Sequence, residues 1–181
     1  MKVVPTNINN LLVIEPTVHE DERGFFFESF NKKKFDAALG REIEFVQDNH
    51  SRSIKNVLRG LHYQTKRPQA KLVRVVAGTV TSVAVDLRRS SSTFGKHYAL
   101  ELSGENKRQF WIPEGFGHGF FTVSEYAELV YKTSDYYMVS GERCISWVDP
   151  ELDLGWRHGN VTPILSAKDS AGTSFSDAEL P

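Results

Sequence analysis

Cysteine and net charge are both scarce in this 181-residue sequence. The only cysteine is Cys144, so no disulfide can form within the chain, and we expect its thiol to pack in a strand. The 22 Lys and Arg residues nearly balance the 23 Asp and Glu residues, which leaves a net charge of −1. A bulk charge this small argues against a nucleic-acid or membrane surface. An anionic ligand would therefore need a local cluster of basic side chains.

Long apolar runs and internal repeats are also missing. No stretch approaches the length of a membrane span, and residues 1–10 contain no apolar run of the kind that signal peptides carry. The hydrophobic fraction of 40% and the charged fraction of 25% are ordinary for a globular protein. We therefore expect a cytoplasmic protein with a single domain over residues 1–181.

Short extended runs separated by turn residues make up most of the chain. We predict strands over 11–16, 45–50, 57–64, 72–76, 79–86, 97–102, 109–112, 117–123 and 127–134. One helix is predicted, capped by Asn31 and ended by Gly40. Eight or more short strands indicate an all-β sandwich, barrel or jelly roll. The tail from about residue 149 contains few apolar runs, and we expect it to wrap the domain or a partner.

Two segments have the character of a functional site. The first is Arg59–Gln64, and the second, residues 113–120, has the spacing Pro-x-Gly-x-x-His and resembles the second motif of cupins. Metal-binding cupins have His-x-His followed by Glu in the first motif, but here those positions hold Gln64 and a residue near Gln69. Two His and an amide would bind a transition metal poorly. We therefore expect a cupin-type jelly roll that uses no metal and no cofactor.

Polar side chains recur at strand positions that share a face. His62 and Gln64 alternate on one predicted strand, and Gln47 and Asn49 alternate on another. The full set of candidates for a polar cavity is Gln47, Asn49, His62, Gln64, Lys71 and Tyr131. Each of them alone has a structural explanation, such as a hydrogen-bonded strand histidine or a core tyrosine with its hydroxyl at the rim. Together they supply a base, an acid, a cation and amide contacts, which is what enolate chemistry requires.

Arg59 and His62 have opposite parity along their predicted strand. Both can face the same cavity only if the strand is bulged or twisted between them. Gly60 permits such an irregularity, so we predict a bulge or twist at this position.

Several segments resemble the dTDP-4-dehydrorhamnose 3,5-epimerase family. They occur in the family's order between about residues 3 and 169. The segments are 23–29 (RGFFFES), 47–51 (QDNHS), 58–64 (LRGLHYQ), 83–88 (VAVDLR), 113–120 (PEGFGHGF) and 165–169 (LSAKD).

The resemblance implies an isomerase that inverts carbons 3 and 5 of dTDP-4-dehydro-6-deoxy-D-glucose and gives dTDP-4-dehydro-L-rhamnose. It implies that His62 is the proton acceptor, oriented by Asp169, and that Tyr131 is the proton donor. Lys71 would stabilise the charge on the 4-keto oxygen, and Tyr137 would stack on the thymine ring. The other implied substrate-binding residues are Arg23, Glu28, Gln47, Asp48, Asn49, Arg59, His118, Glu142 and Lys168. The family is also expected to form homodimers whose N-terminal strands cross to the partner.

The sequence departs from the family at three places. The family usually has an acidic residue where this chain has Ser82, and Ala where it has Gly117. The usual Trp-Pro near the C-terminus reads Trp156-Arg157. None of these changes removes a proposed catalytic residue.

Three alternatives stay open on the motifs alone. A sister epimerase acting only at carbon 3 or only at carbon 5 would keep the same His, Asp and Tyr. A metal-dependent cupin is disfavoured by Gln64. A non-catalytic sugar-binding cupin is disfavoured because binding alone needs no acid–base pair.

Overall fold

Two antiparallel sheets face each other in a jelly-roll sandwich. The structure, a computed structural model, describes residues 1–156 and 159–181. The strands are β1 Lys2–Pro5, β2 Leu12–Glu15, β3 His19–Asp21, β4 Gly24–Phe26, β5 Gln47–Ile54, β6 Leu58–Gln64, β7 Lys71–Ala77, β8 Thr79–Asp86, β9 His97–Ser103, β10 Gln109–Ile112, β11 Phe116–Thr122, β12 Tyr126–Thr133 and β13 Glu142–Cys144. The described helices are α1 Lys32–Leu39, α2 Ala167–Ser170 and a 3₁₀ turn at Val139–Gly141.

The strand order defines a six-stranded and a five-stranded sheet. The order in the first is β1-β2-β10-β7-β12-β5, and in the second β13-β6-β11-β8-β9. Strands β3 and β4 form a separate two-stranded hairpin. The predicted all-β jelly roll is confirmed. Sequential strands alternate between the sheets through most of the chain, so residues distant in sequence meet in the interior.

All nine predicted strands are present, four further strands were not predicted, and two differences from the prediction have a physical reason. The strand β5 runs through the polar sequence QDNHSRSI to Ile54, further than predicted. Both of its faces carry polar residues, so no apolar alternation marked its end. The strand β1 was not predicted, and it pairs with β2 at the edge of the six-stranded sheet, where its ends are exposed.

The helix α1 has the predicted boundaries. The Asn31 side chain accepts a hydrogen bond from the Lys34 backbone N–H, and Gly40 ends the helix in the left-handed conformation. Phe35 is buried and its ring meets Trp111 edge-on, with 5.2 Å between centroids. The helix therefore covers the outer face of the six-stranded sheet. No described helix is long and apolar enough to span a membrane.

The apolar core lies between the sheets. Val73 and Val75 of the six-stranded sheet pack in one cluster with Val80, Leu102 and other residues of the five-stranded sheet. This cluster fills part of the interior with close-packed side chains. The rest of the interior, bordered by polar strand positions, stays open as a cavity.

The C-terminal segment covers the outer face of the five-stranded sheet. Leu152, Leu154 and Ala178 are buried in one cluster with Leu61 and other residues of that sheet. The Tyr63 hydroxyl donates to the backbone carbonyl of Glu179 at 2.9 Å. The sequence departure at Arg157 lies outside the described residues.

Candidate active site

A cavity of about 370 Å³ opens between the two sheets. Side chains from β5, β7 and β12 line it on one side, and side chains from β6, β11 and β13 line it on the other. The predicted site residues on its lining are Gln47, Asn49, Arg59, His62, Lys71, His118, Tyr131, Tyr137, Glu142 and Lys168. The volume suits one small ligand.

A bulge in β6 brings Arg59 and His62 to the same cavity. His62 pairs with His118 and Arg59 pairs with Phe120, so three steps on β6 match two steps on β11. The irregularity predicted at Gly60 is thereby confirmed, as a bulge. Gly60 has a φ of 108°, and a Cβ at this position would lie 2.5 Å from the His118 carbonyl oxygen. Only glycine fits this close approach without moving the backbone.

His62 and Asp169 form a hydrogen-bonded pair. His62 Nε2 lies 2.6 Å from Asp169 Oδ1, which also accepts from the Gly60 backbone N–H at 3.0 Å. Ser166, the N-cap of α2, donates through its hydroxyl to Asp169 Oδ2 at 2.6 Å. Burial acts to raise the pKa of Asp169, but the bonds from His62, Ser166 and Gly60 outweigh it and hold that pKa well below its usual range. Asp169 is therefore an ionised carboxylate although it is buried.

The ionised carboxylate fixes the tautomer of the imidazole. A carboxylate can only accept, so His62 must carry its proton on Nε2. Nδ1 is then the unprotonated nitrogen, and it has no hydrogen-bond partner among the described residues. His62 lines the cavity, so a basic nitrogen is available to a ligand there.

Lys71 and Tyr131 belong to the opposite sheet. Lys71 begins β7, and its Nζ lies 3.4 Å from the His62 carbonyl oxygen. Burial lowers the pKa of Lys71 to about 8, partly offset by Glu142. Tyr131 lies on β12 opposite Asn49 and Val73. Burial raises the pKa of Tyr131, so its phenol is protonated at neutral pH.

His118 lies beside His62 on the neighbouring strand. Its side chain is buried, and its Nε2 lies 3.0 Å from the Ser82 hydroxyl oxygen. Burial, followed by the charges of Lys71 and His62, lowers the pKa of His118 well below its ordinary value. His118 is therefore neutral at physiological pH. The contact between Ser82 and His118 was not predicted. Ser82 on β8 lies two residues from the residue that pairs with His118 on β11, and this relation is visible only once the register of the two strands is known.

Charged and aromatic side chains meet at another part of the lining. Lys168 Nζ donates to Glu142 Oε1 at 2.6 Å, and the Tyr137 hydroxyl donates to Glu142 Oε2 at 2.7 Å. Burial acts to raise the pKa of Glu142, but these two bonds outweigh it and lower that pKa. Arg59 is exposed and donates from Nε to the Ser53 hydroxyl at 3.0 Å. The two cations, Arg59 and Lys168, form the local basic cluster that an anionic ligand needs.

Two polar atoms on the lining lack partners among the described residues. They are Asn49 Nδ2 and Ser51 Oγ, both sealed from bulk solvent. A buried donor without a partner is costly. Ser51 was not among the predicted site residues, although the alternation of β5 places it on the same face as Gln47 and Asn49.

Three of the predicted substrate-binding residues lie outside this cavity. Asp48 has the opposite parity to Gln47 and Asn49, and its carboxylate accepts from Lys132 Nζ at 3.0 Å. Arg23 is exposed on the β3–β4 hairpin and pairs with Asp21 at 2.5 Å. Glu28 follows that hairpin and pairs with Lys34.

The amide positions that replace cupin metal ligands have structural partners. Gln64 Nε2 donates to the Arg67 carbonyl at 2.7 Å, and its Oε1 accepts from the Met138 N–H at 2.7 Å. Gln69 Nε2 donates to the Asp135 carbonyl at 2.7 Å. Both amides are therefore engaged with backbone groups of the loops around them.

Cys144 is close to the histidine–aspartate pair. One ligand atom each from His62, Cys144 and Asp169 lie within 4.8 Å of one another. Burial, followed by Asp169, raises the pKa of the thiol to about 12, which disfavours the thiolate that a metal would need. The 2.6 Å contact between the other two residues is a hydrogen bond. The group fits a proton-transfer pair better than a metal site.

The arrangement suits proton transfer on a carbonyl compound. A basic nitrogen lies on one sheet, and a phenol and an ammonium group lie on the other. An ammonium group can stabilise an oxyanion, and an imidazole and a phenol can accept and donate a proton.

Comparison with known proteins gives a consistent result over nearly the whole chain. A family model described as dTDP-4-dehydrorhamnose 3,5-epimerase matches residues 5–177. The dTDP-4-dehydrorhamnose 3,5-epimerase of Shigella flexneri is 56% identical over 180 residues, covering 99% of this chain and 98% of that protein. The enzyme of the same name from Pseudomonas aeruginosa PAO1 is 54% identical over 179 residues, with 99% and 98% covered.

A solved structure has a similar fold. It is the crystal structure of the dTDP-6-deoxy-D-glucose-3,5-epimerase of Legionella pneumophila Philadelphia 1 in complex with dTDP-4-keto-L-rhamnose. The TM-score is 0.95 at 49% sequence identity, and the alignment covers 98% of this chain and 94% of that chain.

Proposed function

The chain belongs to the dTDP-4-dehydrorhamnose 3,5-epimerase family, and on this premise we propose which residues carry out the reaction. The resemblance read from the sequence motifs is thereby confirmed. The chain is an isomerase that inverts carbons 3 and 5 of dTDP-4-dehydro-6-deoxy-D-glucose and gives dTDP-4-dehydro-L-rhamnose. The 4-keto group makes this possible, because loss of a proton from carbon 3 or carbon 5 gives an enolate.

His62 is the proposed base, acting through Nδ1. Its Nε2–H is held by the Asp169 carboxylate at 2.6 Å, which leaves Nδ1 as the proton acceptor. When Nδ1 takes a proton the imidazole becomes cationic, and the adjacent carboxylate stabilises that charge. Asp169 thus has two functions, to set the tautomer and to stabilise the product of proton abstraction.

Lys71 is the proposed partner of the enolate oxygen. It lines the cavity on the sheet opposite His62, and its ammonium group is partly buried. An ammonium group in a site with little water stabilises a developing oxyanion more strongly than it would in bulk water. The substrate's 4-keto oxygen is accordingly expected to bind next to Lys71 Nζ.

Tyr131 is the proposed acid that returns the proton. Inversion requires that the proton be returned to the face opposite the one from which it was removed. The observation that carries this proposal is the placement of His62 on β6 of the five-stranded sheet and of Tyr131 on β12 of the six-stranded sheet, with the same cavity between them. A planar enolate between the sheets would present one face to each residue.

The nucleotide part of the substrate is proposed to bind at Arg59, Lys168 and Tyr137. Arg59 and Lys168 supply the positive charge that a diphosphate needs. Tyr137 is 50% exposed, so its ring is free to stack on a base. Lys168 is already paired with Glu142, so diphosphate binding is expected to weaken that ion pair.

The β3–β4 hairpin is proposed to reach the cavity of a second copy of the chain. Phe25 and Phe26 on this hairpin are 59% and 69% exposed, and burial of an aromatic side chain stabilises an interface by about 1.5–3 kcal/mol. The same segment carries Arg23 and Glu28, which do not reach the cavity of their own chain. A homodimer with exchanged hairpins would add both residues to the substrate-binding region.

Substitution of Tyr131 by Phe tests the assignment of acid and base. The variant keeps His62 and Lys71, so it should still exchange protons of dTDP-4-dehydro-6-deoxy-D-glucose for deuterium in heavy water. Without the phenol, formation of the inverted product should fall by about 10²-fold or more relative to exchange, the usual range for a general acid. NMR of the sugar gives both rates from one time course.

Tyr137→Phe is the matched control for that experiment. It also removes one phenolic hydroxyl from the cavity lining, but the ring that stacks is kept. We expect exchange and inversion to remain coupled in this variant. If Tyr131→Phe loses exchange and inversion equally, Tyr131 takes part in enolate formation and is not the separate proton donor.

A further inference from the structure

Ser82 is a buried residue whose hydroxyl faces a second histidine of the cavity. It lies on β8 and is fully buried, and its Oγ is 3.0 Å from His118 Nε2. No other hydrogen bond of the Ser82 hydroxyl is found among residues 1–156 and 159–181. The neutral imidazole has one nitrogen that donates and one that accepts, so the direction of this bond decides which nitrogen of His118 carries the proton.

The buried hydroxyl proton decides the direction. If His118 Nε2–H donated to Ser82, the hydroxyl proton of Ser82 would be buried without an acceptor among the described residues. If Ser82 donates to Nε2, the proton has its acceptor and the bond is complete. A buried donor left unsatisfied disfavours a state by roughly 5- to 150-fold. The arrangement with Ser82 as donor is therefore strongly favoured, and the imidazole proton is on Nδ1.

The Nδ1 atom of His118 is accessible to a ligand. His118 lines the cavity, and its Nδ1 is not among the sealed atoms that lack a partner. Lys71 Nζ lies against the carbonyl of His62, the residue that pairs with His118 across the strands. An N–H of His118 and the ammonium group of Lys71 thus belong to neighbouring parts of the same lining.

We propose that Ser82 is a positioning residue that holds His118 as a neutral Nδ1–H donor to the 4-keto oxygen of the substrate, beside Lys71. This inference rests on the proposed function for the identity of that oxygen, but the tautomer itself does not depend on it. A neutral imidazole is suited to this place, because it can donate a hydrogen bond without repelling the Lys71 ammonium. Neutral imidazoles act as electrophiles in other enolisation reactions.

The tautomer can be measured directly by ¹⁵N NMR on the free protein. Imidazole ¹⁵N shifts distinguish a protonated from an unprotonated nitrogen, and loss of the signals in His118→Asn assigns them. At pH 7 we expect His118 Nδ1 to be protonated and Nε2 to be a hydrogen-bonded acceptor. Observation of the Nε2–H tautomer, or of an imidazolium, in the unmodified protein would overturn the proposal.

Substitution of Ser82 by Asp should place a proton on Nε2 of His118. A carboxylate can only accept, so it requires a proton on Nε2 of His118, and Nδ1 then loses its proton or the ring becomes cationic. A ring that keeps Nε2 unprotonated in a folded Ser82→Asp protein would contradict the argument. If this variant does not fold, the spectrum of the unmodified protein still decides the question.

Ser82→Ala tests whether the tautomer matters for turnover. Without the hydroxyl, both tautomers should be populated, and kcat should fall about 2- to 10-fold, the equivalent of one neutral hydrogen bond. KM should change less than twofold, because a donor to the developing oxyanion acts mainly in the transition state. Ser82→Thr keeps a hydroxyl and should restore the tautomer and kcat together.

Ser103→Ala is the matched control. Ser103 is also a buried strand serine, but its hydroxyl accepts from the Asn106 N–H and it is not on the cavity lining. It should leave both the His118 spectrum and kcat unchanged. A mixed tautomer in Ser82→Ala with unchanged kcat would overturn the donor role of His118. An unmodified protein with the predicted tautomer but no epimerase activity would instead count against the proposed function.

Discussion

Removal of the Asp169 carboxylate separates the two functions proposed for it. In Asp169→Asn the Gly60 N–H still needs an acceptor at the position of Oδ1, so the amide oxygen should stay there. The amide NH₂ then faces Ser166 Oγ, which can accept from it. The oxygen facing His62 is unchanged, so the imidazole keeps its Nε2–H tautomer and only the negative charge is lost. In Asp169→Ala both the charge and the orientation are lost.

The expected magnitudes follow from the hydrogen bonds. A bond to a charged group contributes about 1.5–3 kcal/mol and a neutral one about 0.5–1.5 kcal/mol. The difference of about 1–1.5 kcal/mol corresponds to roughly 5- to 15-fold, which is the loss we expect for Asp169→Asn. Loss of the whole charged bond corresponds to roughly 10- to 150-fold, which is the loss we expect for Asp169→Ala.

The assay is deuterium incorporation at carbons 3 and 5 in heavy water, followed by NMR. The control is Asp149→Ala, since Asp149 is 4% exposed and accepts from the Glu151 and Phe175 N–H groups at 3.0 and 2.7 Å, away from the cavity. It should lower stability but leave the exchange rate of the folded protein intact. An exchange rate for Asp169→Ala within twofold of the unmodified protein would refute the pairing of Asp169 with the base. Equal losses in the Asn and Ala variants would show that orientation contributes nothing.

Three further predictions concern pH, metals and assembly. Burial lowers the pKa of Lys71 to about 8, so its ammonium group is lost as the pH rises through that value, and kcat/KM should fall above pH 8. Lys71→Arg should remove this fall. A pH profile of the unmodified enzyme that stays flat to pH 10 would contradict the role of Lys71. Activity should survive dialysis against a chelator, because Gln64 and Gln69 bind backbone groups; a stoichiometric metal whose removal stops turnover would contradict this. Light scattering at micromolar concentration should show a dimer. Phe26→Asp should weaken this dimer, whereas Val148→Asp, a change at a similarly exposed residue, should leave it intact. A stable monomer of the unmodified protein would refute the exchanged hairpin.

The strands and the helix could be predicted because their signals are local. The Asn31 cap and the left-handed Gly40 mark the ends of α1 through backbone geometry that few residues satisfy. The irregularity at Gly60 could be predicted, because Arg59 and His62 have opposite parity and can both face the cavity only if β6 is bulged or twisted between them. Strand β5 was harder, since its polar faces carry no apolar period.

The contacts inside the site needed the register of the sheets. The sequence distance between Ser82 and His118 gives no sign that they meet, and it is the pairing of β8 with β11 that brings them together. Ser166 was missed for a related reason, because α2 is only four residues long and too short to leave a periodic pattern. Asp48 has its side chain away from this cavity because it has the opposite parity to its two neighbours on β5.

The separation of the proposed acid and base follows from the way the chain is folded. Consecutive strands of a jelly roll pass from one sheet to the other, so β6 and β7 lie in different sheets although few residues separate them. His62 near the end of β6 and Lys71 at the start of β7 therefore line the same cavity from different sheets, and Tyr131 joins Lys71 because β12 pairs with β7. A catalyst for inversion needs a base and an acid on opposite sides of a flat intermediate. In the proposed mechanism the two facing sheets supply both groups from fixed strands, and inversion at both carbons would require that the sugar present each carbon in turn to the same pair.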